Sequence, residues 1–431
     1  QQKVPFAGGI PVAPKGLTGK KLPEKPVVYD TGEGQRIKVS VVTRALETPF
    51  GATFLPDGTM LVTERTAKLR VIRNGVLDPK PVTGGPVGFG TGESGLPGAV
   101  HGYMDIVLHP QFADNHYVYI SYSKPLDGNK RVAAISRSKW DGKALNETKD
   151  IFVAEGEGPT RLAFDRNGFL YATISGQDPQ SLSTQGGKVL RLKDDGSIPA
   201  DNPFANKAGA KKEIFTYGHR NSLGLAMHPG TGEIWQNENG PNGGDEINIL
   251  KPGANYGWPV VSYGRTYQGP WQSERPGHAG FEPPVVYWVP AIAVSGLTFY
   301  TGDKFPKWKG DVFVGSLRTG EIPGTGHLER ILFNEKMEEL RRDRARHQEG
   351  DQHQPVERVD DREGEVRWEE EEVEAEESGE REDEADDAAP TGAPQQDQEQ
   401  IAQRHLRRRE DGPEAPKDRG RGGDQIGRAH V

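Results

Sequence analysis

One pattern recurs along this chain and restricts its fold more than any other feature: an apolar strand, a turn of Pro, Asp, Asn or Gly, then a second apolar strand. It reads ATFLPDGTMLVTER, DIVLHPQFADNHYVYISYS, LAFDRNGFLYATIS, LAMHPGTGEIWQNE and LTFYTGDKFPKWKGDVFVGS. Phe54, Leu108, Phe164, Met227 and Phe299 fall at equivalent points. The period is thus roughly 55 to 70 residues, which a four-stranded propeller blade with long loops produces. Helical periodicity is scarce before the last fifth of the chain. Asp-Gly and Asn-Gly turns between strands occur in any β protein, but five recurrences in similar flanking context predict an all-β propeller rather than a sandwich.

Composition divides the chain and narrows its partners. Residues 1–36 are rich in Pro, Gly and Lys and read as an extended arm; residues 37–342 carry the repeats. Residues 343–431 are a low-complexity charged tail with too few aliphatic side chains to offset the entropy of ordering. That tail reads either as disordered or as the product of a frameshift: it begins abruptly where a further strand-turn-strand unit is due, and its Arg, Glu, Asp, Gly, Ala and Pro bias is that of a GC-rich gene read out of frame. Apolar residues are 33% of the whole and the mean hydropathy is -0.73. A net charge of -9 and a pI near 5.8 argue against nucleic acid or an anionic membrane as partner. No apolar run approaches the ~20 residues that span a bilayer, so an integral membrane protein is not expected. With no cysteines there is no disulfide, thiolate metal site or cysteine nucleophile. A chain that begins at Gln1 without a signal peptide is expected to be a processed periplasmic or secreted product, or a fragment.

The chemistry concentrates in residues 213–259. There Gly218, His219, Arg220 and Asn221 precede, by about twenty residues, the turn Asn239-Gly240-Pro241-Asn242-Gly243-Gly244-Asp245-Glu246, and Asn255-Tyr256-Gly257-Trp258-Pro259 follows. Glycines permit a strained, close backbone approach, which leaves the Gly240 and Pro241 carbonyls free to face a ligand. Hard cations such as Ca2+ prefer carbonyl oxygens and carboxylates like those of Asp245 and Glu246. Arg220 and Asn221 supply the fork and the amide that recognise a planar, multiply anionic ligand. Each piece alone also reads as an ordinary turn or a solvated loop.

Together, YGHRN, ENGPNGGDEIN and NYGWP resemble the soluble quinoprotein sugar dehydrogenases, the glucose/sorbosone dehydrogenase family that uses pyrroloquinoline quinone and Ca2+. GKVLRLKDDGSIPADNPF and PAIAVSGLTFYTGDKFPKWKGDVFVGSLRTG extend the resemblance, which covers about 49–340. It implies a six-bladed β-propeller, of which five blades are recognisable here and the last is missing or scrambled. It also implies PQQ- and Ca2+-dependent oxidation of aldose sugars to lactones, with electrons passed to an external acceptor, a quinone or a cytochrome. The Gly240 and Pro241 carbonyls match the family's ligands for the catalytic Ca2+, and Glu246 and Tyr256 match positions linked to a second, structural Ca2+. Arg220 and Asn221 match the quinone-contacting pair. Arg318 falls where the family often has a Lys near the quinone.

Two departures stand out. The family's closing blade carries an R-x-R pair on the quinone that has no counterpart in suitable context here. Its usual base, a His four residues before the Arg of a G-R-L turn, is Glu157 in this chain. Either Glu157 is the base or His101, in AVHGYMD, supplies it; the bland reading makes Glu157 a solvated loop charge and His101 a structural loop histidine. His219 reads as a packing residue. Trp258, Trp271 and Trp288 are candidates for stacking on quinone or sugar, although Trp at strand ends is usually core. A non-catalytic propeller that binds a sugar or a protein partner is the alternative expectation.

Overall fold

The computed structural model describes residues 22–345, apart from 32–33, 91–100, 129, 159, 275–276, 278, 321 and 323, together with the backbone of two short strands before them. Those strands, β1 (Phe6–Ala7) and β2 (Ile10–Pro11), pair with each other, and β3 (Val27–Asp30) pairs with β4 (Arg36–Val39). Both hairpins lie in or across the boundary of the stretch read from sequence as an extended arm.

Five antiparallel four-stranded sheets follow, each laid down in chain order. The first comprises β5 (Pro49–Phe54), β6 (Met60–Glu64), β7 (Lys68–Arg73) and β8 (Val76–Leu77). The second comprises β9 (Tyr103–Leu108), β10 (Tyr117–Pro125), β11 (Arg131–Trp140) and β12 (Leu145–Val153); the third comprises β13 (Leu162–Phe164), β14 (Leu170–Ile174), β15 (Lys188–Leu192) and β16 (Ile214–Tyr217). The fourth holds β17 (Asn221–Met227), β18 (Ile234–Asn239), β19 (Asp245–Ile249) and β20 (Val286–Trp288), and the fifth β21 (Val294–Phe299), β22 (Val312–Ser316), β23 (His327–Phe333) and β24 (Glu339–Ala345). Among the described residues, helix is limited to one turn at Phe112–Asn115 and a 3-10 turn at Pro306–Trp308. The all-β propeller is as expected. Five blades are described, not six, and β24 continues three residues past 342, into the segment read from sequence as tail.

Burial along each blade explains its residues. Middle strands are covered on both faces by neighbouring blades, so β14 and β15 are buried throughout; β14 reads as a near-continuous apolar run, whereas β15 buries Lys188 and Arg191 among its apolar residues. The outermost strand β12 is largely exposed and carries Asn146, Glu147, Lys149 and Asp150. Alternation assigns successive side chains to different cores. On β10, Val118, Ile120 and Tyr122 pack against Leu61 and Val71 of the first blade, whereas Tyr119 packs against Leu162, Leu170 and Leu192 of the third. Tyr171 and Val189 meet Leu225 and Ile234 between blades three and four. Trp235 and Ile247 meet Val294, Val312 and Ile331 between blades four and five.

Polar side chains stitch each blade to the next one's first strand. Thr63 donates to the Met104 carbonyl, and Ser121 Oγ donates to the Thr160 carbonyl at 2.7 Å. The Asp105 carboxylate accepts the Leu162 N–H at 2.9 Å, Ser175 Oγ donates to Asn221 Oδ1 at 3.2 Å, and Asn239 Nδ2 donates to the Val294 carbonyl at 2.9 Å. Arg161 crosses between blades that are not neighbours: from the third it reaches the Phe50 carbonyl of the first at 3.2 Å, with its guanidinium 4.2 Å from the Phe50 ring centre. The first strands therefore face a common centre. Because strand direction alternates within each sheet, the residues entering β9, β13, β17 and β21 share one rim with the β18–β19 and β22–β23 loops.

Asp105 provides a test of this stitching. Asp105→Ala leaves the Leu162 N–H and the Arg161 guanidinium without their carboxylate, and should lower unfolding stability by about 2–3 kcal/mol, read from urea denaturation monitored by tryptophan fluorescence.

Candidate functional site

The turn between β18 and β19 is shaped by backbone that only glycine adopts without strain. Gly243 and Gly244 have φ of +86° and +75°, and a Cβ on Gly240 would sit 2.1 Å from the Gly243 oxygen. The turn is held by one buried carboxylate. Asp245 accepts the Gly240 N–H at 2.9 Å through Oδ1, and the Ile292 and Val294 N–H groups at 2.8 and 3.3 Å through Oδ2. Burial raises its pKa against the pull of those N–H groups. The Arg318 N–H donates to the Ile292 carbonyl at 3.3 Å, so the exposed Arg318 loop of blade five connects to the Gly240 turn through the same carboxylate.

Arg220 lies against that turn. Its Nη1 donates to the Asn239 and Gly240 carbonyls at 3.0 and 2.8 Å, and its Nη2 to the Tyr267 hydroxyl at 3.0 Å. The guanidinium is 5.2 Å from the Trp258 ring centre and 5.9 Å from that of Tyr267. Asn221, bonded to Ser175 and also 3.4 Å from Asn239 Oδ1, completes a half-buried corner of one cation, one amide, two carbonyls and two aromatic rings. Arg220, Asn221 and Gly240 thus come together, with Pro241 in the same turn. Tyr267 was not foreseen; nothing in its local sequence marks it.

Beneath the corner lies a buried polar cluster. Glu238 accepts the Arg220 N–H and the Gln236 amide, each at 3.0 Å, and lies 3.4 Å from His219 Nδ1. His219 is 1% exposed, stacks on Tyr256 at 4.7 Å and bonds Thr216, the packing role read from sequence. Glu246 stands opposite Glu238 across β18 and β19. Burial first, then the Glu238 charge, pushes Glu246 well above the usual carboxylate range. Burial opposes the charge on Glu238 too, but His219 and hydrogen bonds from His219, Glu246 and Gln236 outweigh it and leave Glu238 below that range. The two carboxylates are therefore pushed in opposite directions, Glu246 toward its neutral form and Glu238 toward its charged form.

Glu246 and Tyr256 do share a space, a cavity of about 410 Å³ also lined by Tyr263, Phe281 and Glu282. The Tyr256 hydroxyl, however, donates to the Ile249 carbonyl at 2.6 Å and accepts the Lys251 N–H at 2.9 Å, so its main-chain carbonyl is what it has to offer a cation. Among the described residues, no group of three or more His, Asp or Glu side chains could hold a metal ion.

The two candidate bases also meet, through a residue that sequence reasoning missed. Arg131, at the start of β11, lies with Nε 2.9 Å from Glu157 Oε2 and donates to His101 Nδ1 at 3.0 Å. The tryptophans divide: Trp258 lies beside Arg220, Trp271 is exposed and 4.1 Å from the Arg265 guanidinium, and Trp288 is buried with its N–H 2.8 Å from Glu329. Trp288 is core and cannot stack on a ligand. Arg344 binds Glu329 at 2.7 Å and forms part of the same blade-five network.

The sequence pattern of the glucose/sorbosone dehydrogenase family matches residues 46–364. The aldose sugar dehydrogenase of Escherichia coli strain K12 is 38% identical over 301 residues, 66% of this chain and 79% of that protein. Quinoprotein glucose dehydrogenase B of Acinetobacter calcoaceticus is 29% identical over 69% of this chain and 67% of its own length. The PQQ-bound aldose sugar dehydrogenase of Streptomyces coelicolor superposes with a TM-score of 0.56 at 26% identity, over 75% of this chain and 86% of that one.

Asp245→Asn places an amide donor against N–H donors. It should cost on the order of 3 kcal/mol, visible as a lower melting temperature together with a changed near-UV circular dichroism signal from the Trp258 and Trp288 neighbourhood.

Proposed function

The chain belongs to the glucose/sorbosone dehydrogenase family, and from that membership we propose that it oxidises aldose sugars at the anomeric carbon to lactones, using pyrroloquinoline quinone and Ca2+ and passing the electrons to an external quinone or cytochrome. The observation that carries this reading is the corner at Arg220. The Asn239 and Gly240 carbonyls both accept from the Arg220 guanidinium. Oxygens that already serve a cation have the chemistry a hard divalent ion requires.

The Gly240 and Pro241 carbonyls would hold Ca2+, while Arg220, Asn221 and Arg318 would face the anionic quinone, with the Trp258 and Tyr267 rings beside it. When bound, the quinone supplies an electron-poor carbonyl that takes the hydride, polarised by the metal as a Lewis acid. The protein's own share is binding, orientation and proton transfer. Arg220 offers a planar fork suited to carboxylate or carbonyl oxygens. The Asp245 clamp fixes the turn that presents the carbonyls, and a base, Glu157 or His101, takes the hydroxyl proton of the sugar. Glu246 and Tyr256, which line one cavity, would take a second, structural Ca2+. A periplasmic or secreted location suits a sugar oxidase of this kind.

The test is reduction of an artificial electron-accepting dye by a panel of aldoses, with and without PQQ and Ca2+. Turnover should require both additions, and Arg220→Ala should weaken PQQ binding by ~10- to 100-fold. A folded chain that binds PQQ and Ca2+ yet oxidises no aldose would establish instead a non-catalytic propeller that binds a sugar or a protein.

A further inference from the structure

The link between the second and third blades carries a group that the dehydrogenase reading does not use. Arg131 is 12% exposed, and its Nε contacts both Glu157, which is about half exposed, and the buried His101. The guanidinium also lies 5.2 Å from the Phe89 ring centre, and Phe89 meets the His101 ring edge-on at 5.8 Å. Backbone hydrogen bonds hold three of these segments to blade two. Ala133 N–H donates to the Gly156 carbonyl, Phe89 N–H to the Ser123 carbonyl and Ser123 N–H to the Gly102 carbonyl. Gln185 Oε1, from blade three, accepts the Glu155 N–H at 2.8 Å, so the strip leading to Glu157 is anchored from both sides.

We propose that Arg131 is the positioning residue for proton transfer, fixing Glu157 as the base and engaging His101 through its Nδ1. A guanidinium only donates. Its bond to His101 Nδ1 therefore engages that nitrogen's lone pair and places the ring proton on Nε2, so His101 has no free lone pair with which to take a proton. Glu157 has a second carboxylate oxygen and is the member of the trio open to solvent. The assignment rests on the dehydrogenase reading. In that reaction the anomeric O–H proton passes to the Glu157 carboxylate while the anomeric C–H leaves as hydride to the quinone carbonyl. The carbon–oxygen single bond becomes the lactone carbonyl, and the two electrons leave with the hydride. Holding the accepting oxygen in place is what Arg131 contributes.

Two measurements decide the matter. In the cofactor-free wild type, nitrogen-15 NMR of labelled histidine, with Arg131→Met for comparison and His101→Gln to assign the signal, should show His101 Nδ1 unprotonated and Nε2 protonated at pH 7, and Arg131→Met should change that pattern. In the PQQ- and Ca2+-loaded protein, Glu157→Gln should lower kcat by ~100-fold or more. Arg131→Met should lower kcat by ~10- to 100-fold while KM stays within about threefold. Arg131→Lys, which keeps the charge without the fork, should recover part of the loss, and so should guanidinium added to Arg131→Met. If Arg131→Met fails to fold, the wild-type tautomer and Arg131→Lys carry the test. A protonated Nδ1 in the wild type overturns the proposal. So does an active wild type whose kcat Arg131→Met matches, and in that case the dehydrogenase reading survives. A wild type that binds PQQ without turnover overturns that reading, and the role of Arg131 with it.

Discussion

Two carboxylates, Asp245 buried and Asp105 partly buried, do the same work at two places, and the architecture depends on them. Asp105 in blade two accepts the N–H that opens the first strand of blade three, and Asp245 in blade four accepts two N–H groups at the start of blade five. A first strand has a partner strand on one edge only, so its remaining polar groups need partners from elsewhere. A carboxylate on the preceding blade supplies one and sets where the next blade begins. Apolar side chains then fill the wedges between blades, but area alone has no direction; the carboxylates set the register in which Val294 and Leu162 meet their neighbours.

Asp245 serves the site as well as the fold, because its second oxygen holds the Gly240 N–H. The turn it stabilises presents carbonyls toward Arg220, whose own N–H is held by Glu238. Fold and site thus share their hydrogen bonds, and the Gly240 turn cannot move without disturbing the joint between blades four and five. Beneath it, Glu238 and Glu246 are too close and too buried for both to be charged. Their opposite shifts, Glu246 upward by burial and by the Glu238 charge, Glu238 downward by His219 and its hydrogen bonds, ease the conflict.

The rim owes its location to chain order. Each sheet starts at the centre with its first strand and finishes at the outside, so the segment entering every blade passes the central opening. His101 enters blade two, Glu157 blade three, Arg220 blade four and Ile292 blade five. A change of residue at one of these entries, Glu157 among them, would alter the chemistry of the rim without changing the blades. Arg131 sets a cation beside the Glu157 carboxylate.

By itself the sequence determined the repeat, the turns and the company kept by Arg220, Asn221 and Gly240. These follow from local rules: alternation in strands, glycine where φ is positive, and motif pieces on consecutive strands of one blade. Tertiary structure decided the rest. Arg131 and His101 are thirty residues apart, and no local pattern brings a guanidinium from β11 between a residue entering β9 and one entering β13. Trp288 and Trp258 look alike in sequence, yet Glu329 from a neighbouring blade buries one while Arg220 keeps the other at the site. Tyr256 reads in sequence as a candidate cation position, yet its hydroxyl bonds the Ile249 carbonyl and the Lys251 N–H. Such outcomes depend on which groups the packed blades bring within hydrogen-bonding distance, and that is fixed by non-local burial rather than by periodicity.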